Sequence, residues 1–260
     1  MKETLSVVLI VKNEEDKLGR CLESVKWADE IVVVDDMSTD GTPGIASSYG
    51  ARIIRNSSGG NFDRQRNLGI QGSTSDWILQ MDADEIVPAE LKDEITSILK
   101  NNSSYAAFKL RRKNYFLGHL MRYGGWSNEY SVKLFRKGKA GYVGKSVHET
   151  LKVEGETGVL AAAIEHYPFR NISEFLERQN FYTSVECRVM LEEKARIPDK
   201  DIMYNIKVKP VKLFWKAYVK KQGFREGFYG FVFSLLFAWV HYLRWVKYWE
   251  AVNNGQGASC

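Results

Sequence analysis

Three polar clusters, each directly after a short apolar run, carry the side chains best suited to chemistry in this 260-residue sequence. Lys12-Asn13-Glu14 follows Leu5 to Val11, Asp35-Asp36 follows Ile31 to Val34, and Asp82-Ala83-Asp84 follows Trp77 to Met81. In extended chain, residues i and i+2 point the same way, so Asp82 and Asp84 are expected to converge on one ligand while Ala83 faces the protein. Two carboxylates in one place repel unless a cation lies between them. Mg²⁺ or Mn²⁺ carrying a diphosphate is the natural occupant, because these ions favour oxygen ligands and use one or two carboxylates plus substrate phosphates. An isolated Asp-x-Asp is more often a solvated turn. Here its position after an apolar strand, with two acidic strand ends upstream, favours a ligand site.

The elements that must hold these clusters level are βαβ units. Short β-branched runs alternate with helix-period stretches through the first hundred residues, the pattern of a mainly parallel sheet. Leu5 to Val11, Ile31 to Val34, Ala51 to Arg55 and Trp77 to Met81 read as buried strands. Leu18, Cys21, Leu22 and Val25 form one helix stripe, and further helices are expected over Phe62 to Gln71 and from Pro88 onward. In such sheets ligands bind beyond the carboxyl ends of the strands at the topological switch point, where the three clusters stand. Further strands are expected at Ala106 to Arg111, Tyr130 to Arg136, Val147 to Val153 and Val159 to Ile164, extending the same sheet. A long helix over Asn171 to Ala195, a linker at Ile197 to Asp201 and a basic, aromatic helical tail over Lys207 to Glu250 complete the chain. The expected organisation is one domain over 1–200, with a nucleotide-binding half (1–100) and an acceptor half (101–200), followed by an amphipathic tail (201–260).

The segments SVVLIVKNEE, IVVVDDMSTDGT, RQRNLGI and WILQMDADE, in this order and spacing, resemble glycosyltransferase family 2, whose members have the nucleotide-sugar-binding GT-A fold. SVKLFRKGKAGYVGKSVHE and KQGFREGFYGF narrow the likeness to a bacterial branch containing lipopolysaccharide core β-glucosyltransferases. The resemblance implies an α/β, Rossmann-like, mixed and mainly parallel sheet flanked by helices, with a C-terminal helical extension. It further implies that Val11, Asn13 and Glu14 after the first strand, together with Asp36, contact a uridine nucleotide, and that Arg64 faces base or diphosphate. Asp84 would hold the metal, with Asp82 against the ribose or the metal's water shell. Family 2 enzymes invert the anomeric centre, so one carboxylate must take the acceptor hydroxyl's proton. Glu149, in Val147-His148-Glu149, occupies the place of that base in relatives; Glu129 is its competitor. His148 could orient the carboxylate or contact phosphate, and His166 receives no role.

The whole-chain charge of +5 hides an asymmetry: residues 1–100 hold 11 Lys and Arg against 18 Asp and Glu, and residues 101–260 hold 26 against 14. Between Lys207 and Arg225 there are seven Lys or Arg and no acid, and 15 of the 33 aromatic residues lie between Tyr204 and Trp249. Phe228 to Val240 is apolar apart from Ser234. As a helix it spans about 20 Å, short of the roughly 30 Å hydrocarbon core, so it is expected to lie on an anionic membrane surface or pack on protein rather than cross a bilayer. Nucleic acid is not expected as a partner, since no nucleic-acid motif accompanies the basic stretch. Apolar residues at 44% and charged residues at 27% exclude a disordered chain and a polytopic membrane protein. Cys21, Cys187 and Cys260 form no metal-ligand or paired framework, and the N-terminus lacks the pattern of a signal peptide, so a cytoplasmic protein on the inner face of the membrane is expected. The implied activity is hexose transfer, glucose favoured, from a UDP-sugar to a glycolipid or oligosaccharide acceptor, with lipopolysaccharide inner core preferred. The alternatives are a polyprenyl-phosphate acceptor and a non-catalytic membrane adaptor that keeps the nucleotide-sugar fold.

Overall fold

The computed structural model describes residues 2–126, 129–143, 151–193 and 197–254. Two compact units divide the chain: Met1–Lys113 with Asn128–His166, and Asn114–Ser127 with Tyr167–Cys260. The helix expected over Asn171 to Ala195 therefore belongs with the tail.

In the first unit β1 (Leu5–Val11), β2 (Glu30–Asp35), β3 (Arg52–Arg55) and β4 (Trp77–Asp82) are parallel, in the order β3-β2-β1-β4. The β-branched and aromatic side chains of β1, β2 and β4 are buried on both faces, as in a sheet covered by crossover helices, while the edge strand β3 is only half-buried. β1 leads to β2 on one side and has β4 on the other, so the switch point lies between β1 and β4. Val11 is level with Asp35, and Ile10 with Asp82, which brings the three acidic strand ends to one edge as the sequence predicts. Antiparallel strands continue the sheet: β5 (Glu85–Ile86), β6 (Ala107–Phe116), β8 (Glu129–Arg136) and β11 (Thr157–Phe169), giving the order β4-β8-β6-β11-β5; β7 (His119–Leu120) pairs with β6.

The helices α1 (Glu15–Val25), α2 (Thr42–Ser48), α3 (Phe62–Gly72) and α4 (Ala89–Lys100) join these strands. α1 buries Leu18, Cys21, Leu22 and Val25 against the main core, the stripe read from the sequence. α3 begins where the Asn61 side chain accepts the Arg64 N–H, and it lies close on the sheet because Gly69 faces Val8 and Val34. β9 (Ala140–Tyr142) and β10 (Leu151–Val153) form a separate two-stranded sheet, so the strand expected at Val147 to Val153 does not extend the main one; its residues 147–150 lie outside the described residues.

The second unit is helical: α5 (Ile172–Glu193), α6 (Asp199–Lys207), α7 (Lys209–Trp215), a π turn over Lys216–Lys220, a 3₁₀ turn over Gly223–Glu226, and α8 (Gly227–Asn253). The expected linker around Pro198 is instead the start of α6, with Pro198 at its N-cap position. The expected helical tail is present as several segments, with a corner between Gln222, with φ +57°, and Gly227, with φ +59°. A Cβ on Gly230 would fall on the Gly223 carbonyl oxygen, so this corner requires backbone-to-backbone packing. Glu226 holds it from inside, accepting the N–H groups of Arg122 at 2.6 Å and Tyr123 at 2.7 Å and pairing with His119 at 2.7 Å. No helix among the described residues is long and apolar enough to cross a membrane.

Candidate functional site

The loops after β1 and β2 are tied to each other by their own polar groups. Asn13, with φ +52°, donates its N–H to Ser38 Oγ at 2.9 Å and accepts the Thr39 N–H on its side-chain oxygen at 2.9 Å. The Glu14 N–H reaches Thr42 Oγ1 at 2.8 Å. Val11 accepts the Asp36 N–H on its carbonyl at 2.8 Å. Val11, Asn13 and Glu14 thus fix the edge of the cleft through backbone and loop contacts.

Asp35 and Asp36 differ in their surroundings. Asp35 is fully buried, accepting the Ser38 N–H and pairing with Arg55 at 3.2 Å, which marks it as structural. Asp36 accepts the Ser58 N–H at 2.7 Å and the Ser58 hydroxyl at 2.8 Å, with Lys12 at 3.4 Å. Burial opposes its ionisation, but the Ser58 hydrogen bonds and then Lys12 outweigh it and hold the carboxyl below its ordinary value. An ionised carboxylate has about four acceptor positions, so three contacts leave one for a ligand N–H.

At the end of β4 the strand stops at Asp82, and Ala83–Asp84 lie in a turn before β5. The two-residue alternation behind the expected Asp82–Asp84 convergence therefore does not continue through Asp84. Asp82 is occupied by cations instead: Lys133 at 3.0 Å, Arg112 at 3.5 Å and Arg66 at 3.9 Å. Burial would raise its pKa, but Lys133, then Arg66 and Arg112, hold the carboxyl far below the carboxylate range. Glu85, with no exposed side-chain surface, pairs with Lys133 at 2.9 Å and Arg112 at 2.8 Å and accepts the Asp82 N–H at 3.0 Å. Its burial, opposed by Lys133 and aided by Asp82, pushes its pKa up.

Asp84 turns to another partner. His166 Nε2 on β11 lies 3.6 Å from Asp84 Oδ1, brought there by the antiparallel register of Glu85 with His166. Burial first, against the pull of Asp84, lowers the His166 pKa to about 4, so the imidazole is neutral at pH 7. Among the described residues, no three His, Cys, Asp or Glu side chains form a metal-holding group. A neutral imidazole and a carboxylate nonetheless suit a divalent ion that completes its shell with phosphate and water, and the nitrogen favours Mn²⁺ over Mg²⁺. The Cys21 thiol donates to the Asp82 carbonyl at 3.6 Å; burial and then the nearby carboxylates raise its pKa, so it is no nucleophile.

Of the two α3 arginines, Arg64 is exposed and Arg66 is buried, facing Asp82 and lying 5.3 Å from the Tyr142 ring centroid. Arg66 is thus the α3 arginine that joins the Asp82 cluster, and Arg64 stands at the surface. Next to it, Asn67 clamps β9: its amide donates to the Tyr142 carbonyl at 2.9 Å and its oxygen accepts the Tyr142 N–H at 3.0 Å. The Tyr142 hydroxyl also bonds Gln80 on β4. Tyr142 pairs with Leu151 in the β9–β10 ladder. His148 and Glu149 lie between them in sequence, outside the described residues. Glu129 is exposed at the start of β8, opposite Arg112 in the β6–β8 ladder.

Sequence reasoning singled out His166 but gave it no role, and it passed over Lys133, Arg112 and Glu85. Lys133 left one signal, a lysine inside the apolar run Val132 to Phe135; nothing local marks the others.

Glycosyl transferase family 2 matches residues 6–151 of the chain. An uncharacterized glycosyltransferase of Rickettsia typhi is 28% identical over 255 residues, covering 94% of this chain and 86% of its own length. The lipopolysaccharide core biosynthesis glycosyltransferase LpsC of Rhizobium meliloti is 25% identical over 256 residues, covering 96% and 93%. A crystal structure of S. aureus TarS 1–349 covers 97% of this chain and 92% of that one, at 15% identity and a TM-score of 0.48.

Proposed function

The chain belongs to glycosyl transferase family 2, and from that premise we propose that it transfers a hexose, glucose favoured, with inversion from a UDP-sugar to a hydroxyl of a membrane glycolipid of the lipopolysaccharide inner core. The observation that carries this reading is the Asp84–His166 pair standing at the β4 end beside Lys133, Arg112 and Arg66. A pair of one carboxylate and one neutral imidazole, set among cations, fits a metal-borne diphosphate. The acceptor class is supported by the likeness to LpsC along nearly the whole chain. Such an acceptor is reached by a cytoplasmic protein attached to the inner face of the membrane.

Asp84 and His166 would hold Mn²⁺ or Mg²⁺, which when bound neutralises charge developing on the departing diphosphate. The residues of the chain do the rest. Asp36 accepts the uracil imide N–H in its remaining acceptor position. Asp82, kept ionised by three cations, fixes the turn that carries Asp84 and is the carboxylate nearest the ribose. Arg66 and Arg112 face the phosphates, with exposed Arg64 at the outer edge. Glu149 takes the proton of the attacking hydroxyl, and His148 orients it; Glu129 is the competing base.

Titration calorimetry with UDP, with and without Mn²⁺, tests the donor side. Wild type is expected to bind UDP in a Mn²⁺-dependent manner, and Asp84→Asn and His166→Ala to lose that dependence. Glu149→Gln is expected to keep UDP binding and lose transfer by about 10²- to 10⁴-fold, the usual contribution of a general base. UDP binding indifferent to Mn²⁺ would refute the metal pair. A near-normal rate in Glu149→Gln would move the acceptor to an already ionised polyprenyl phosphate, and full loss in Glu129→Gln alone would move the base there.

A further inference from the structure

Within the helical unit, the corner between α7 and α8 leaves an uncovered aromatic surface. Phe214, Tyr218, Phe224, Phe228 and Phe231 form one linked set of rings, with centroids 5.3 to 6.5 Å apart. Such a set ordinarily closes a core. Here Phe228 is 76% exposed, Phe224 50% and Phe231 40%, and on α7 Val211 is 68% and Trp215 57% exposed. On α8 Phe228, Phe231 and Leu235 stand at i, i+3 and i+7, a single helix face, and all three are exposed.

The charge along this stretch of chain has one sign. Seven Lys or Arg lie between Lys207 and Arg225 without an acid, and Lys216, Lys220 and Lys221 are exposed. The next acid, Glu226, is buried and accepts the Arg122 and Tyr123 N–H groups, so its charge faces inward.

We infer that α7, the π turn and the first turns of α8 form a docking surface for an anionic membrane, with Trp215, Phe224 and Phe228 entering the headgroup boundary and the lysines meeting lipid phosphates. This inference names the membrane partner implied by a membrane-held acceptor, and it rests on that reading for its purpose. The composition selects this occupant. Protein interface cores are depleted in lysine, whereas aromatic rings set among lysines are the composition of a bilayer interface. A second copy docked symmetrically through the same face would bring two clusters of seven cations together. Phe228 to Val240 as a helix reaches only about 20 Å, so the surface lies in the interface without spanning it.

Co-sedimentation of the full chain with vesicles tests the surface, using phosphatidylcholine alone and phosphatidylcholine containing phosphatidylglycerol. Wild type is expected to bind the anionic vesicles, to release them as salt rises, and to leave the neutral ones unbound. Each lysine near such a surface contributes about fivefold in affinity, so replacing Lys216, Lys220 and Lys221 by Gln together is expected to weaken binding roughly 100-fold. Trp215→Ala and Phe228→Ala are each expected to weaken it about tenfold or more. These side chains are exposed, so thermal melts and transfer to a detergent-free soluble oligosaccharide are expected to stay at wild-type values. Equal binding to both vesicle types, binding to neither, or unchanged binding by Phe228→Ala overturns the inference. So does a dimer in solution that Phe228→Ala dissociates, which would make a second copy the occupant. Loss of UDP binding with vesicle binding intact would refute the donor-site reading and leave the surface standing.

Discussion

Replacing Lys133 with methionine, a side chain of similar length without charge, tests the claim that the β4 end is held by a buried ion network. Lys133 Nζ is 3.0 Å from Asp82 and 2.9 Å from Glu85, and its own side chain is 8% exposed. At an effective dielectric of 20, each contact is worth about 6 kcal/mol of gross attraction, most of it offset by the loss of hydration on burial. The net cost of removal depends on what the carboxylates can do afterwards. Asp82, 33% exposed, recovers water and keeps Arg112 and Arg66. Glu85, with no exposed surface, keeps the Arg112 contact at 2.8 Å. Breaking a buried pair costs about 3–5 kcal/mol, and the remaining arginines put Lys133→Met near 3 kcal/mol. For a chain of this size that is a fall in Tm of roughly 6–12 °C. Scanning calorimetry at neutral pH measures it, and Glu85→Gln in the same background is expected to return most of the loss by removing the stranded charge. A Lys133→Met protein within about 1 kcal/mol of wild type, or a double variant no better than the single one, would refute the network as the support of the Asp82–Asp84 turn.

Gly69→Ala places a Cβ in overlap with Val8 Cγ1 and 3.1 Å from Val34 Cγ2, and both valines lie in the parallel sheet. Overpacking there is expected to cost about 1–3 kcal/mol against a gain of about 0.5–1 from helix propensity, so Tm should fall; an unchanged or higher Tm would deny the close approach of α3 to the sheet. The His241 Nε2–H donates to the Asn205 side-chain oxygen on α6 at 3.2 Å, and burial, then Arg244 and Lys209, lowers the His241 pKa to about 4. A neutral histidine in the fold contributes stability that is complete above its ordinary value of 6.5 and is lost as pH falls toward 4. Melts between those limits should show Tm falling on acidification, and His241→Asn should flatten the slope; an identical slope would exclude His241 as a source.

The parallel half of the sheet is legible because β1, β2 and β4 are buried on both faces and must therefore be apolar runs. β1 has its expected bounds, and β2, β3 and β4 differ by a residue at one or both ends. The elements that escaped have no such pressure. β5 and β7 are two residues long, and α2 is a seven-residue helix containing Pro43, Gly44 and two serines, whose composition reads as a turn. The same distinction governs the site. Asp82 and Asp84 are found because they follow a strand; His166 is left without a role, because only the β5–β11 pairing, a contact between distant stretches of chain, brings it to Asp84. The expected convergence of Asp82 with Asp84 rests on a strand period, and the period ends when the strand does.

The split in charge along the chain also takes a different meaning at the β4 end. Arg112 and Lys133 come from the basic part of the sequence, yet they face Asp82 and Glu85. With Arg66 they set three cations against the three acids Asp82, Asp84 and Glu85, while His166 is neutral at pH 7. Such a cluster is close to electroneutral and by itself has little attraction for a diphosphate. For the proposed anionic donor, affinity would then have to come from charge added to the cluster, which is why a test of Mn²⁺-dependent UDP binding discriminates so strongly. In the helical unit the cations between Lys207 and Arg225 have no acids within their own stretch, and Glu226 directs its charge inward. The two sets of positive charge therefore differ in placement: one is neutralised at a turn, and the other is left exposed, as the proposed docking to an anionic surface requires.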